Sequence, residues 1–131
     1  MSIKYKVIER QNPLNREAPK KAYGIALHGK NRKLAALAKE LATYSTTTSE
    51  GDVFSVSIGL RDLIRKHLAE GDKVTIDGIG TFSINISSDG AESVDKFHQG
   101  LIKKPKVLFT PDAEMKEFLA TVKYEKYVSQ G

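Results

Sequence analysis

The chain has 131 residues, 40% of them hydrophobic, which suits one compact domain or a small domain with an extension. Because it contains no cysteine, a disulfide framework and a thiolate metal site are both excluded. The first ten residues lack the apolar segment of a signal peptide, and no apolar run approaches the roughly 20 residues that cross a bilayer. The composition therefore favours a cytoplasmic protein.

The positive charge is concentrated at the front of the chain. The net charge is +5, but residues 1–33 contain nine Lys or Arg and two Glu, whereas the remaining 98 residues contain 12 Lys or Arg and 14 Asp or Glu. The front therefore carries a net +7 and the rest a net −2. A basic segment of this kind attracts a polyanion, and a solvated basic tail is the alternative interpretation.

Two short strands are predicted before residue 30. In IKYKVI, residues 3–8, apolar and basic side chains alternate, which is the period of a strand with two different faces. The proline- and asparagine-rich RQNPLNREAPKK, residues 10–21, indicates a loop. AYGIALHG, residues 22–29, alternates again. The sequence therefore predicts an N-terminal strand pair.

Two helices are predicted next. NRKLAALAKELATY, residues 31–44, has apolar residues at helical spacing, with Asn31 as a candidate N-cap. The second helix is predicted over residues 50–69, and its apolar arc spans roughly 220°, about twice the stripe that a helix on a monomer surface needs. The excess apolar surface indicates a symmetric partner.

The second helix also carries recognisable capping signals. Thr47 with Glu50, and Ser49 with Asp52, both have the spacing of a capping box. At the other end, Gly71 is predicted to adopt the left-handed conformation that terminates many helices.

A glycine turn between two strands follows. KVTI and TFSINI are rich in β-branched and aromatic residues, which favours strands over 73–76 and 81–86. In the intervening DGIG, Gly78 can adopt positive φ, and Gly80 allows a neighbouring backbone to approach closely. A dinucleotide-binding loop is disfavoured because the glycines lead into a strand and the third glycine of that motif is missing.

The last third of the chain predicts an excursion, a strand and a helix. SDGAESVDKFHQG, residues 88–100, is polar and bounded by glycines, which indicates a flexible excursion. LIKKPKVLF predicts a returning strand, with Pro105 at an edge or a bulge. The final helix is expected to have Thr110 as its cap and Pro111 at its first position, and the chain is expected to fray after Val122.

No catalytic constellation is recognisable. His28, His67 and His98 lack metal-ligand spacing to one another or to carboxylates, and His67 is interpreted as a residue at the edge of the core. No Gly-x-Ser-x-Gly elbow occurs, and no nucleophile is paired with a base. We therefore expect a protein that is not an enzyme and has no metal, cofactor or small-molecule substrate.

The order of these elements resembles a known family. LAEGDKVTIDGIGTFSI, residues 68–84, is similar to the L-x-x-G-D-x-V-x-L-x-G-F-G-x-F signature of the HU and integration host factor family of bacterial histone-like DNA-binding proteins. The resemblance covers about residues 31–123. It implies an α+β fold in an intertwined homodimer, with two N-terminal helices, a three-stranded antiparallel sheet with an arm, and a short C-terminal helix. The basic strand pair at the front looks like the extension of the longer HU-related proteins.

The predicted arm departs from the family pattern. Family members place a basic two-stranded arm in the minor groove, with an Arg-Asn-Pro tip whose proline wedges between base pairs. The excursion here contains no proline and no arginine, and it carries three acidic residues against the basic Lys96 and His98. Phe97 is a candidate wedge. The alternative is that Phe97 packs on the arm or on a partner.

DNA contacts would therefore come mainly from other parts of the chain. The resemblance implies that backbone N–H groups of the glycine turn approach a phosphate, because glycine has no Cβ in the way. Basic residues of the front and of the returning strand supply the positive charge. The DNA-binding candidates are Lys4, Lys6, Arg10, Lys20, Lys21, Lys30, Arg32, Lys33, Gly78, Gly80, Lys96, Phe97, Lys103, Lys104 and Lys106.

Residues 1–30 are expected to form a basic extension and residues 31–131 an HU-like DNA-binding domain. The leading hypothesis is a nucleoid-associated homodimer that binds double-stranded DNA through its backbone and shape, with little sequence preference. An HU-derived structural or protein-interaction module that does not bind DNA is the alternative, and the acidic excursion favours it. A third hypothesis makes the front strand pair a lid that competes with DNA.

Overall fold

The computed structural model of the protein describes residues 2–44 and 47–128. The predicted α+β architecture is confirmed: two helices precede an antiparallel sheet, a short helix follows it, and a further sheet contains the N-terminal strands. In chain order the elements are β1 (Ile3–Arg10), β2 (Lys21–Ala26), α1 (Leu34–Tyr44), α2 (Glu50–Ala69), β3 (Val74–Ile76), β4 (Gly80–Asn85), β5 (Lys106–Pro111), α3 (Ala113–Leu119) and β6 (Tyr124–Lys126).

The chain divides into two compact units, and the first of them contains both chain ends: Met1–Asn31 together with Phe118–Gly131. Its sheet has the order β2-β1-β6, with β2 antiparallel and β6 parallel to the central β1. The predicted strand pair is therefore present and gains a third strand from the C-terminal segment.

The expectation that the chain frays after Val122 is wrong for β6. The Ile3 N–H donates to the carbonyl of Lys123 at 2.8 Å, and the Tyr127 N–H donates to the carbonyl of Tyr5 at 2.8 Å. These bonds tie the segment to β1 in register, with Ile3 beside Tyr124. The last part of the predicted fraying segment, residues 129–131, lies outside the described residues.

The second unit is Arg32–Glu117, in which α1 and α2 pack together beside a sheet of order β3-β4-β5. The helix α1 begins at Leu34, three residues after the expected N-cap Asn31. The Lys33 carbonyl accepts the bond that opens the helix, from the Leu37 N–H at 3.0 Å. The strand β5 lies at an edge of this sheet, in agreement with the prediction from Pro105 just before it.

Both ends of α2 follow the sequence signals. Of the two candidate caps, Ser49 is confirmed, because its Oγ accepts a hydrogen bond from the Asp52 N–H at 3.1 Å. At the C-terminal end, Gly71 has φ of +91°. The N–H groups of Gly71 and Asp72 donate to the carbonyls of Leu68 and His67, each at 3.0 Å. This pair of bonds is a Schellman motif.

The glycine turn has the conformation that its two glycines predict. Gly78 has φ of +84°, the value of the third residue of a type II turn, and the Ile79 N–H donates to the Ile76 carbonyl at 2.9 Å. Gly80 is buried, and a Cβ there would lie 2.4 Å from the carbonyl oxygen of Thr110 and 2.7 Å from the Phe109 ring. Close approach of a neighbouring strand is therefore the reason for glycine at residue 80.

The start of α3 differs from the prediction. Thr110 and Pro111 belong to β5, where they lie opposite Thr81 and Gly80, so neither begins the helix. Asp112 takes the capping role instead, because its Oδ1 accepts a hydrogen bond from the Met115 N–H at 2.9 Å. Pairing with β4 keeps the backbone extended for two residues beyond the position that local signals favoured.

Few apolar side chains are buried within a single chain. Within residues 2–44 and 47–128, Ala38 of α1 is the one fully buried apolar side chain, at 2% exposure. On α2, Val56 is 72% exposed, and Leu60 and Leu63 are each 54% exposed. The wide apolar arc predicted for α2 thus faces solvent over much of its area. None of the described helices is long and apolar enough to span a membrane.

Candidate nucleic-acid interface

Four of the predicted DNA-binding residues lie on one face of the N-terminal sheet. Side chains alternate between the two faces of a strand, so Lys4, Lys6 and Arg10 of β1 share a face. Lys21 of β2 lies directly opposite Arg10 and joins them on that face. All four residues are exposed. We call this set (Lys4, Lys6, Arg10, Lys21) the basic sheet face.

The basic sheet face carries a net positive charge. Across the parallel pair, Glu125 of β6 lies opposite Lys4, and its Oε2 accepts a hydrogen bond from the Ser2 hydroxyl at 3.1 Å. Within residues 2–44 and 47–128, none of the four cations forms an ion pair with a carboxylate. Their charge is therefore available to an external anion.

The other cations of the front lie elsewhere. Lys20 immediately precedes β2, whereas Lys30, Arg32 and Lys33 lie in the irregular connection between β2 and α1. Arg32 and Lys33 already belong to the second unit. The structure thus gathers half of the eight front candidates on one surface and leaves the others on connecting segments.

The predicted arm is short and partly neutralised by its own carboxylates. A single bridge, Ser88 to Ile102, joins its two sides, and its tip forms 3-10 turns at Val94–Lys96 and Gln99–Leu101. Lys96 Nζ lies 2.6 Å from Glu92 Oε2, and Lys103 Nζ lies 3.4 Å from Asp89 Oδ1. Lys96 of the excursion and Lys103, which follows the excursion at the base of the arm, are therefore each engaged by an acidic residue of the excursion.

The remaining candidates around the arm have different surroundings. Lys103 and Lys104 were expected on the returning strand, but β5 begins after Pro105, so only Lys106 lies within it. All three lysines are exposed. Phe97 ends the first 3-10 turn and is 44% exposed, so its ring is neither buried in the arm nor fully presented to solvent.

The structure gives both turn glycines a conformational role. The Gly78 N–H, which was expected to approach a phosphate, donates to Asp112 Oδ2 at 2.7 Å. Gly80, the first residue of β4, is buried against the Thr110 carbonyl and the Phe109 ring of β5. The Gly78 donor is therefore occupied by a carboxylate and Gly80 is covered by β5, and the expected backbone contact to phosphate stays a prediction.

Sequence reasoning missed a cluster at the end of α2. His67 Nδ1 lies 3.5 Å from Glu70 Oε2 and 3.4 Å from Asp72 Oδ2. Each of the three side chains offers one atom that could bind a metal ion, and these atoms lie within 4.8 Å of one another. The Schellman turn at Gly71 brings these residues together, so the turn was the signal for the cluster. Within the single chain, the His67 side chain is 48% exposed, so it does not lie at the edge of a core there. A protonated His67 forms ion pairs with both carboxylates and is favourable at a helix C-terminus.

Two solved structures resemble this chain in fold. A "Putative bacterial DNA binding protein" from Bacteroides vulgatus ATCC 8482 matches 95% of the chain with a TM-score of 0.68 at 8% identity. Anabaena HU, solved in a cocrystal with DNA, matches 68% of the chain and 98% of its own length, with a TM-score of 0.51 at 17% identity. At these identities the likeness shows the fold alone.

The relatives differ from the chain in length as well. The chain spans 47% of the Bacteroides protein, about half of its length. About a third of the chain has no counterpart in Anabaena HU.

Among curated proteins, no sequence match was found. Residues 1–126, however, match one family over nearly the whole chain. The chain therefore belongs to the HU-HIG family, described as an HU domain fused to a wHTH, Ig or glycine-rich motif.

Proposed function

We propose that this protein is an architectural DNA-binding protein that acts as a homodimer and binds double-stranded DNA through its phosphate backbone. Membership of an HU family and likeness to an HU protein crystallised with DNA support the proposal. In this proposal the protein has no enzymatic activity, cofactor or small-molecule substrate, and it is located in the cytoplasm in association with the nucleoid. The observation that carries the proposal is the basic sheet face.

The distribution of free cations supports the N-terminal sheet as the main contact surface. The basic sheet face presents four cations without an ion pair among the described residues, whereas Lys96 and Lys103 of the arm are each paired with a carboxylate. Cations that neutralise phosphates release counterions from DNA, and a cation already paired must first give up its partner. Contacts of this kind do not read base edges, so we expect little sequence preference. Lys20, Lys30, Arg32, Lys33, Lys104 and Lys106 remain supplementary candidates.

Exposed surface supports the homodimer. The chain exposes 11585 Å², whereas two folded units of the sizes found here would together expose about 8,200 Å² by the scaling of area with mass. The difference of about 3,400 Å² is ample for an obligate interface. The exposed surface includes the apolar residues Leu37, Leu41 and the α2 arc described above. A second copy that packs against α1 and α2 covers this surface.

A comparison of two charge-matched double variants tests the proposal. We expect Lys4→Gln/Lys6→Gln to make the negative slope of log affinity against log salt shallower. The magnitude of the slope should fall by about 1.8 per protomer in contact, because each lost phosphate contact removes about 0.9. Lys39→Gln/Lys116→Gln removes the same charge from exposed positions outside the candidate set and should leave the slope unchanged. Fluorescence anisotropy with a random-sequence duplex measures both, in about 50 and about 200 mM salt.

Two outcomes contradict the proposal. If the wild-type protein fails to bind duplex at micromolar concentration in about 50 mM salt, DNA binding is wrong, because non-specific binders usually reach dissociation constants of about 10⁻⁴–10⁻⁶ M even at physiological salt. If the magnitude of the salt slope falls by the same amount in the two double variants, binding follows net charge and the basic sheet face is not the contact surface.

The second candidate function is an HU-derived module for protein interaction without DNA. The internal pairing of Lys96 with Glu92 and of Lys103 with Asp89 favours it, because an arm neutralised in this way has lost much of its attraction for phosphate. This candidate is supported over DNA binding if the wild-type protein fails to bind duplex DNA at micromolar concentration while sedimentation shows that it is a folded dimer.

A further inference from the structure

A cleft of about 660 Å³ lies at the end of the β1–β2 hairpin, within the first unit. Arg10, Lys21 and Tyr23 line it from the strands, and Pro13 and Pro19 line it from the connecting loop. Its volume falls in the range of small-molecule sites, about 300–1,000 Å³. The cleft therefore combines two cations, an aromatic ring and apolar loop residues in a space large enough for a ligand group.

The two cations face each other in a way that favours a bound anion. Arg10 and Lys21 lie directly opposite in the antiparallel pair, where Cβ atoms are about 4.5–5.5 Å apart and like charges destabilise the pairing. Glu9 points to the other face of the strand by alternation. Neither Arg10 nor Lys21 forms an ion pair with a residue that the structure describes. A phosphate between them relieves the repulsion and receives charge-assisted hydrogen bonds from both.

The loop that forms the other wall is organised by its own hydrogen bonds. Asn12 Oδ1 accepts from the Leu14 N–H at 2.9 Å, and Asn15 Oδ1 accepts from the Glu17 N–H at 3.1 Å. The Gln11 side-chain amide donates to the carbonyl of Arg16 and spans the loop. A wall that is ordered before binding reduces the entropy cost of holding a ligand.

The aromatic ring supplies a second recognition element. Tyr23 lies on the same face as Arg10 and Lys21, by the register that pairs it with Ile8, and it is 48% exposed. A half-exposed ring beside two cations is the arrangement with which proteins bind an unpaired nucleotide: the base stacks on the ring and the phosphate meets the cations. A base inside duplex DNA is already stacked between its neighbours and cannot occupy such a cleft.

We propose that this cleft binds one unpaired nucleotide, with its phosphate between Arg10 and Lys21 and its base against Tyr23. The inference rests on the proposed function, because it adds recognition of single-stranded ends or junctions to a protein that binds duplex DNA. The shared chemistry is a nucleoside phosphate. Its source is a nucleotide of an unpaired strand, and a free mononucleotide is the other source to be distinguished.

Anisotropy with three probes on the full-length protein tests the cleft: a blunt 20-base-pair duplex, the same duplex with a four-thymidine overhang, and the same duplex with a four-residue abasic overhang. The thymidine and abasic overhangs carry the same phosphates, so a difference between them reports the bases alone. We expect the thymidine overhang to bind at least about fivefold tighter than the abasic one, the lower end of base–aromatic stacking. Tyr23→Leu should abolish this difference, and Tyr23→Phe should retain it.

Equal affinity for the two overhangs, or a preference that survives in Tyr23→Leu, overturns the proposal. Because Tyr23 is half-exposed on a strand, both variants should keep the wild-type circular dichroism spectrum and blunt-duplex affinity, which separates loss of the cleft from loss of fold. Thymidine monophosphate as competitor distinguishes the sources: half-displacement of the overhang probe at a concentration no higher than the dissociation constant of that probe, where inorganic phosphate fails, assigns the cleft to a free nucleotide and overturns the unpaired-strand assignment. Failure of blunt-duplex binding contradicts the proposed function itself.

Discussion

Substitution of Asp112 by asparagine should destabilise the fold far more than the same substitution at the surface. The carboxylate of Asp112 accepts two backbone hydrogen bonds, one from Gly78 at 2.7 Å and one from Met115 at 2.9 Å, and the residue is half-buried. It therefore holds the glycine turn and the first turn of α3 at once. Asparagine preserves the shape but replaces one of the two acceptors by an NH₂ group.

The magnitude follows from which bond is lost. Asparagine caps helices about as well as aspartate, so the bond from Met115 survives. The Gly78 N–H then faces a donor, and loss of a hydrogen bond to a charged group costs about 1.5–3 kcal/mol. We expect the free energy of unfolding to fall by about 2 kcal/mol for Asp112→Asn. Asp112→Ala also loses the cap, worth about 1 kcal/mol, so its loss should be about 3 kcal/mol.

Urea unfolding monitored by far-UV circular dichroism measures these differences. Protein concentration must be the same for every variant, since the stability of a dimer depends on it. Asp62→Asn is the matched control, because the pair that Asp62 forms with Arg61 is more than half exposed on both sides and should contribute less than about 1 kcal/mol. A loss for Asp112→Asn no larger than that of the control would refute the bridging role of Asp112.

Gly80→Ala should lower the free energy of unfolding by about 2 kcal/mol or more, because its Cβ meets the backbone of β5. Gly90→Ala, whose Cβ meets nothing within 4 Å, is its control. Leu60→Glu should shift the protein from dimer to monomer in sedimentation at micromolar concentration. Lys96→Gln/Lys103→Gln should change the salt slope for duplex DNA by less than 0.9, about one phosphate contact, because both lysines are paired within the arm.

Elements governed by local rules were predictable from the sequence. The helix α2 begins after Ser49, whose side chain accepts a hydrogen bond from the first turn of the helix. It ends before Gly71, because glycine adopts the required positive φ without strain. The roles of Gly78 and Gly80 in the turn also follow from their missing Cβ. In each case the relevant contact lies within a few residues or depends only on the absence of a side chain.

Elements governed by distant contacts were not predictable in the same way. Pairing of β5 with β4 extends the strand through Pro111, and this moved the cap of α3 from Thr110 to Asp112. The strand β6 is only three residues long and exists through its bonds to β1, about 120 residues earlier in the chain. Three residues are too few for a period-2 pattern to be distinguished from an irregular end.

The candidate site was predictable only where local periodicity determines it, and not where it depends on distant contacts. Strand alternation placed Lys4 and Lys6 on one face, and this required only the periodicity of β1. The position of Lys21 opposite Arg10 required the register of the hairpin, which a ten-residue loop does not specify. The pairing of the arm lysines with Glu92 and Asp89 required the irregular path of the excursion, for which the sequence has no periodic signal.

The third strand of the N-terminal sheet decides how its function can be tested. A two-stranded hairpin alone is marginal in water, whereas a third strand with an apolar face allows independent stability. Since β6 from the C-terminal segment supplies that strand, removal of residues 1–30 deletes β1 and leaves β6 without its partner. A truncated protein therefore loses part of its fold as well as its basic residues, and weaker DNA binding after truncation does not identify the cause. Substitution of Lys4 and Lys6 removes the charge and keeps all three strands, so it isolates the electrostatic contribution of the basic sheet face.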